Sequence, residues 1–201
     1  MAEPARFRGR IAGLGTTSGV RVVVGWWEES PYGAFADVML ADAEGTRRLL
    51  APSDEVARFV STTYRFDDVS VVPVRVTAAG SQVAVSAGDL DVRYTVGRRT
   101  TLGRALRLVP APLATSPAWC RVTDPLARLV LRGVRTRGSA GQGRTESYGA
   151  TDLHRIDAAH GTWRGRDLGA LAPLLPEPGF GFGSAPAAPS VTTLVTTVSG
   201  L

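Results

Sequence analysis

The run Val20 to Trp27, VRVVVGWW, limits this chain more than any other segment. Six of its eight residues are β-branched or aromatic, just after a glycine-marked turn (Gly13, Gly15, Gly19), and apolar side chains follow one another almost without a polar break. A strand so composed is buried on both faces, so it needs a sheet around it and cover on each side. The rest of the chain supplies strands of the matching kind. Ala34–Ala41 and Thr46–Leu50 flank an Ala43-Glu44-Gly45 turn; Val71–Val76 carries Pro73, which places it toward a sheet edge; Val83, Val85 and Ala87, then Val92, Tyr94 and Val96, alternate with polar or small residues around a Gly88-Asp89 turn; Ser190–Val198 closes the sequence. Many short strands joined by glycine turns predict a mainly β (α+β) fold, an antiparallel barrel or strongly curved sheet.

About three short helices interrupt it. Ser53 can cap a helix with Asp54 and Glu55 in its first turn and Val56, Phe59 and Val60 on one face. Thr100–Val109 places Leu102, Leu106 and Val109 together before Pro110, and Asp124-Pro125 predicts the start of a further helix with Leu126, Leu129 and Val130 as its apolar face, ended by Gly133. Residues 134–157 read as a hairpin with a glycine-rich tip, and 167–189 as a Pro/Gly-rich loop. The 201 residues fit a single domain, 1–201, with a helical and basic insertion at 98–133.

Composition excludes several chemistries. All 23 basic residues are arginine, so this sequence offers no side-chain amine for a Schiff base and no phosphate-loop lysine. Cys120 is the single cysteine, which precludes an internal disulfide; the charged, apolar-poor start does not read as a signal peptide, and no 18-residue apolar run is present, so the expected compartment is the cytoplasm. No cofactor is implied. His154 and His160, with Asp152 and Asp157 nearby, lack the spacing of a metal site, and none is expected.

Charge is segregated. Residues 1–91 hold nine Arg against twelve acids, residues 92–145 eleven Arg against Asp124 alone, and residues 146–201 three Arg against five acids. Within the basic block, Arg135, Arg137 and Arg144 flank the hairpin tip, and Glu146, Tyr148 and His154 follow on the return strand. Guanidinium forks bind carboxylates and phosphates, while a carboxyl, a phenol and an imidazole can move protons. The predicted site therefore has Glu146, Tyr148 and His154 as catalytic groups and Arg135, Arg137, Arg144 and Trp26 as ligand-binding groups. Its guest would be a small anionic organic molecule held against an aromatic wall (Trp26, Trp27, Tyr94, Trp119), in a binding protein or a metal-independent accessory enzyme. The alternative is an arginine-rich face meeting an acidic partner or an anionic membrane surface. Nucleic acid is disfavoured, because the basic block has few aromatics and no recognisable nucleic-acid motif. A homo-oligomer is compatible with the sequence.

The loop Ser30-Pro31-Tyr32-Gly33-Ala34-Phe35, running from one apolar strand into the next, resembles the Ser/Thr-Pro-x-Gly-Pro-Tyr strand connection of acetoacetate decarboxylase-like β-barrels. The resemblance spans about residues 20–41 and implies a barrel fold. That family's decarboxylases use a Schiff-base lysine, which this sequence lacks, so the resemblance implies neither that chemistry nor any catalytic residue.

Overall fold

The computed structural model describes residues 4–130, 135–139, 143–181 and 185–200, with the backbone only at 126–130. In chain order the elements begin with β1 (Ala5–Thr16), β2 (Arg21–Glu29), β3 (Phe35–Ala41), β4 (Arg47–Ala51), α1 (Asp54–Thr63) and β5 (Asp68–Val71). Next come β6 (Val74–Ala79), β7 (Gln82–Ala87), β8 (Leu90–Arg99), α2 (Thr101–Leu106), α3 (Ala111–Ala114) and α4 (Pro117–Val130). The last are β9 (Arg137–Ser139), β10 (Thr145–Trp163), β11 (Arg166–Asp167), β12 (Leu171–Ala172) and β13 (Ser190–Ser199). The strands form one sheet in the order β5-β4-β3-β2-β1-β13-β10-β8-β7-β6, antiparallel at every neighbouring pair except β4–β5.

The sheet curls on itself. Leu14, Val22, Val24, Val38 and Leu40 from one wing share a buried cluster with Val83, Val85, Leu90, Val92 and Tyr94 from the other. Residues this far apart in strand order meet only if that face is the inside of a curved sheet. Burying one such Val or Leu contributes about 1.5–3 kcal/mol, so the inner cluster is what holds the curl. The opposite face is buried too: Val23, Met39, Leu49 and Leu194 pack beneath Val56 and Val60 of α1 and beneath Leu174 and Phe180 of the segment before β13. Burial on both sides is what the Val20–Trp27 run demanded.

The first helix forms as its residues predict. Ser53 is extended and its side chain accepts a hydrogen bond from the Val56 N–H, with Asp54 and Glu55 in the first turn. Elsewhere the structure corrects the sequence reading. Val71–Val76 is two strands, broken at Val72-Pro73. Thr100 caps a helix that stops at Leu106, and Pro110 precedes the separate turn α3. Asp124-Pro125 does not start a helix but lies inside α4, which begins at Pro117. The described residues thus hold four helices rather than about three. Asp124 is used differently: its Oδ1 accepts from the Thr136 and Arg137 N–H groups at 3.0 and 3.2 Å, fastening α4 to the strand beyond it. The expected apolar face Leu126, Leu129 and Val130, the stop at Gly133 and part of the glycine-rich tip lie outside the described side chains.

Helices α2, α3 and α4 lie against β10, and two glycines set how closely. A Cβ on Gly103 would collide with the Leu153 carbonyl oxygen, and one on Gly149 would collide with the Thr115 backbone. Approaches that close exclude any larger residue.

Candidate functional site

β10 carries most of the predicted polar groups, and one irregularity decides where they point. Its register against β13 runs Glu146–Val198, Tyr148–Thr196, Ala150–Leu194, then shifts to Asp152–Thr193 and His154–Val191. Thr151 is the extra residue of a β-bulge, so side chains of equal parity change faces across it. Glu146 and Tyr148 face the α1 side. Asp152 and His154 face the inside of the curl.

Inside lies a hollow of about 300 Å³, lined by Arg10 and Ala12 of β1, Val24 and Trp26 of β2, Tyr94 and Val96 of β8, Asp152 and His154 of β10, and Thr193 of β13, among others. Its volume is that of about ten water molecules. Arg10 pairs with Trp26 across the β1–β2 ladder, and its guanidinium stands 5.3 Å over the indole ring. Glu28 is 3.5 Å from the same guanidinium, in a pair half open to solvent. Tyr94 is only 3% exposed, and among the described residues its hydroxyl has no hydrogen-bond partner. Burial pushes the phenol up to about 12, against the pull of the Arg10 charge. It is therefore a neutral O–H donor at any physiological pH, and it opens on the hollow.

The Gly97 carbonyl orients the imidazole, and a fixed carboxylate stands beside it. The Arg99 Nε donates to both Asp152 oxygens at 2.8 and 3.0 Å, and the Leu153 N–H donates to one of them. Burial works against the Asp152 anion, but these donors, the Arg99 charge and the charge His154 carries when protonated hold its carboxyl below the usual value. His154 Nδ1 lies 3.0 Å from the Gly97 carbonyl oxygen, which can only accept, so this nitrogen carries the proton. Nε2 is left 3.6 Å from Asp152 Oδ2, beyond hydrogen-bond range, with its lone pair available in the neutral ring.

The other face holds a closed cluster. The Tyr64 hydroxyl, at the end of α1, donates to the Glu146 carboxylate, with both oxygens at 2.9 Å, and lies 2.8 Å from the Tyr148 hydroxyl. Glu146 is 2% exposed, and burial pushes its carboxyl up to about 7 against the bonds from both phenols and the Arg144 charge. Arg144 is buried as well: it donates to the Thr62 carbonyl at 2.7 Å, and its guanidinium stands 5.7 Å over the Phe59 ring. Asp37, on the same face, accepts from the Trp27 indole at 3.0 Å and is raised to about 7 by burial.

The predicted site residues thus divide. Trp26 and His154 meet in the hollow. Glu146, Tyr148 and Arg144 meet on the α1 side. Arg135 and Arg137 are exposed; Arg137 lines an open cleft with Arg121 and Arg144, away from the hollow. Of the aromatic wall, Trp26 and Tyr94 line the hollow, whereas Trp27 lies on the opposite face. The cation at the hollow is Arg10, which the sequence reading passes over. Its signal is the alternation Arg6-Phe7-Arg8-Gly9-Arg10-Ile11, a strand pattern with every second residue charged. Among the described residues no group of His, Cys, Asp and Glu is arranged to hold a metal, and no helix is long and apolar enough to cross a membrane.

No family model matches the sequence, and no curated protein matches it significantly. Among solved structures, the fold is similar to the crystal structure of acetoacetate decarboxylase from Legionella pneumophila subsp. pneumophila str. Philadelphia 1, with a TM-score of 0.45 and 8% identity over 98% of this chain and 85% of that one. The likeness is faint, and at that level no residue of one chain stands for a residue of the other. The Ser30–Phe35 loop has a structural part here: Tyr32 packs 5.3 Å from Phe59 and 6.2 Å from Phe7, on the face away from the hollow.

Proposed function

We propose that the chain is a small-molecule-binding protein of the cytoplasm whose inner hollow takes an organic anion with an apolar body. The observation that carries this reading is the pairing of Arg10, stacked on Trp26, with the Tyr94 hydroxyl, which bonds to no described residue, at one largely apolar hollow. A carboxylate answers both: it accepts charge-assisted hydrogen bonds from the guanidinium and a further bond from the phenol. Val24, Val83 and Val96 suit an aliphatic or aromatic remainder. In this reading Trp26 and His154 line the hollow and Arg10 supplies the anion-binding cation. A thermal-shift screen of short- and medium-chain carboxylic acids tests the reading. A ligand at 100 times its dissociation constant raises stability by about 2.7 kcal/mol, so binders stand out clearly. A flat response across the whole series contradicts it.

One observation favours a second reading. Leu108 and Val122 are 84% and 73% exposed beside the exposed Arg104, Arg107 and Arg121. Exposed apolar side chains set among cations suit an acidic partner or an anionic membrane surface. Sedimentation with vesicles containing anionic lipid, lost on Leu108→Ser with Val122→Ser, supports it; indifference to the lipid's charge removes the membrane version.

A further inference from the structure

The hollow presents three different polar functions, and a plain carboxylic acid uses only part of them. Arg10 is a cation, the Tyr94 hydroxyl is a neutral donor, and His154 Nε2 is an acceptor with a free lone pair. A molecule complementary to all three has a carboxylate for Arg10, a second oxygen that accepts from Tyr94, and an acidic hydrogen directed at the imidazole. An oxo acid with a hydrogen on the carbon beside its carbonyl has this arrangement.

Building on the anion-binding reading, we infer that the hollow catalyses the enolisation of 2-oxo carboxylic acids, with His154 as the general base and Tyr94 as the donor to the enolate oxygen. In this step the C3–H bond breaks and its proton passes to His154 Nε2. The released electron pair forms the C2–C3 double bond, and the carbonyl π pair moves onto the C2 oxygen, where the Tyr94 O–H meets the growing negative charge. The reverse transfer returns the proton to C3, so no other reactant is consumed.

Each neighbour supports one part of this step. Nδ1–H is committed to the Gly97 carbonyl, which leaves the lone pair on the nitrogen that must accept. Once protonated, the ring is an imidazolium whose Nε2 lies 3.6 Å from the Asp152 carboxylate, itself fixed by Arg99. The Gly97 carbonyl holds the ring, and Asp152, fixed by Arg99, offsets its new charge without touching the substrate. A donor already in place where charge develops needs little reorganisation during the reaction.

The test is deuterium exchange at C3 of 4-methyl-2-oxopentanoate in D₂O, followed by ¹H NMR with the full chain, with 4-methylpentanoate as a binding competitor that cannot enolise in this way. The expected result is exchange faster than in buffer, slowed by the competitor, and reduced on the order of 10²-fold by His154→Gln and by Tyr94→Phe. Ligand line broadening in the same samples reports binding independently. Binding without accelerated exchange, or exchange that survives both substitutions, overturns the enolisation while leaving the anion-binding reading in place. Absence of binding overturns both. Tyr94→Phe removes a hydroxyl that bonds to no described residue, so it keeps the test decisive even if His154→Gln folds poorly.

Discussion

The two faces of β10 carry the same kinds of groups and put them to different uses. On the α1 side, Glu146 is enclosed by two phenols that bond to it and to each other. On the inner side, the Tyr94 hydroxyl bonds to no described residue, and His154 Nε2 makes no hydrogen bond, standing 3.6 Å from Asp152. A satisfied cluster fastens one element to another, here the end of α1 to β10. An unsatisfied one next to a hollow leaves hydrogen-bonding capacity for a guest. The α1 side also has buried atoms without a partner, Arg144 Nε and Thr196 Oγ1, so unfilled valence alone does not separate the faces; the hollow of about 300 Å³ beside Tyr94 and His154 does.

The contrast is sharpest in acid and base. Glu146 and Asp37 are both raised to about 7, so each favours the folded state while protonated. Their contribution is complete below the ordinary carboxylate values and is lost as pH rises through about 7. A tenfold change in proton affinity between folded and unfolded chains corresponds to about 1.36 kcal/mol, so each group is worth on the order of 3 kcal/mol. Urea unfolding should therefore give a markedly less stable protein at pH 8.5 than at pH 5, and Glu146→Gln should remove its share of that slope. Asp152, on the inner side, is held below its usual 3.8, so its contribution has the opposite sign: present at neutral pH and lost in strong acid. A stability profile flat from pH 5 to 8.5 would break the distinction.

Arg10→Gln is next in size. It removes the inner-face cation argued to meet the ligand, so affinity for an organic acid should fall by roughly 10- to 100-fold, the equivalent of about 1.5–3 kcal/mol. Because the side chain is half in solvent, stability should change by less than about 0.5 kcal/mol in calorimetry. Unchanged affinity would place the anion elsewhere.

The same conservative change then separates the faces. Tyr64→Phe leaves Glu146 and Tyr148 without their shared partner and should cost about 1–3 kcal/mol of stability, with ligand affinity unaltered. Tyr94→Phe should do the reverse, weakening binding by roughly tenfold with unfolding unaffected, since no described bond within the fold is lost. Chemical unfolding and titration calorimetry on both variants read the four values; matching behaviour of the two tyrosines would erase the contrast.

The scaffold is largely legible in the sequence, because local rules write it. Two-sided burial of Val20–Trp27, the Ser53 cap and the alternating strands β7 and β8 follow from side-chain type and spacing. β1 escapes because Gly9, Gly13 and Gly15 dilute its apolar pattern; Gly9 is small for a packing reason, since a Cβ there would collide with the Trp26 carbonyl oxygen. Pro125 misleads in the other direction, as a helix can carry a proline within its length and continue. The site is legible only in pieces. His154 and Trp26 stand out in the sequence, but their cation lies on β1, the strand separated from β10 by β13, and sequence proximity points instead to Arg135 and Arg137. The bulge at Thr151 hides the division of β10, because parity counted along the chain puts Glu146, Tyr148 and His154 on one side.

Trp26 and Trp27 are adjacent in sequence and face opposite sides of the sheet, which makes them paired reporters of where a ligand goes. With both indole N–H signals assigned by ¹⁵N–¹H NMR, titration of a carboxylic acid that binds should move the Trp26 signal and leave that of Trp27, bonded to Asp37, in place. A displaced Trp27 signal with Trp26 unmoved would contradict an anion-binding hollow inside the curl.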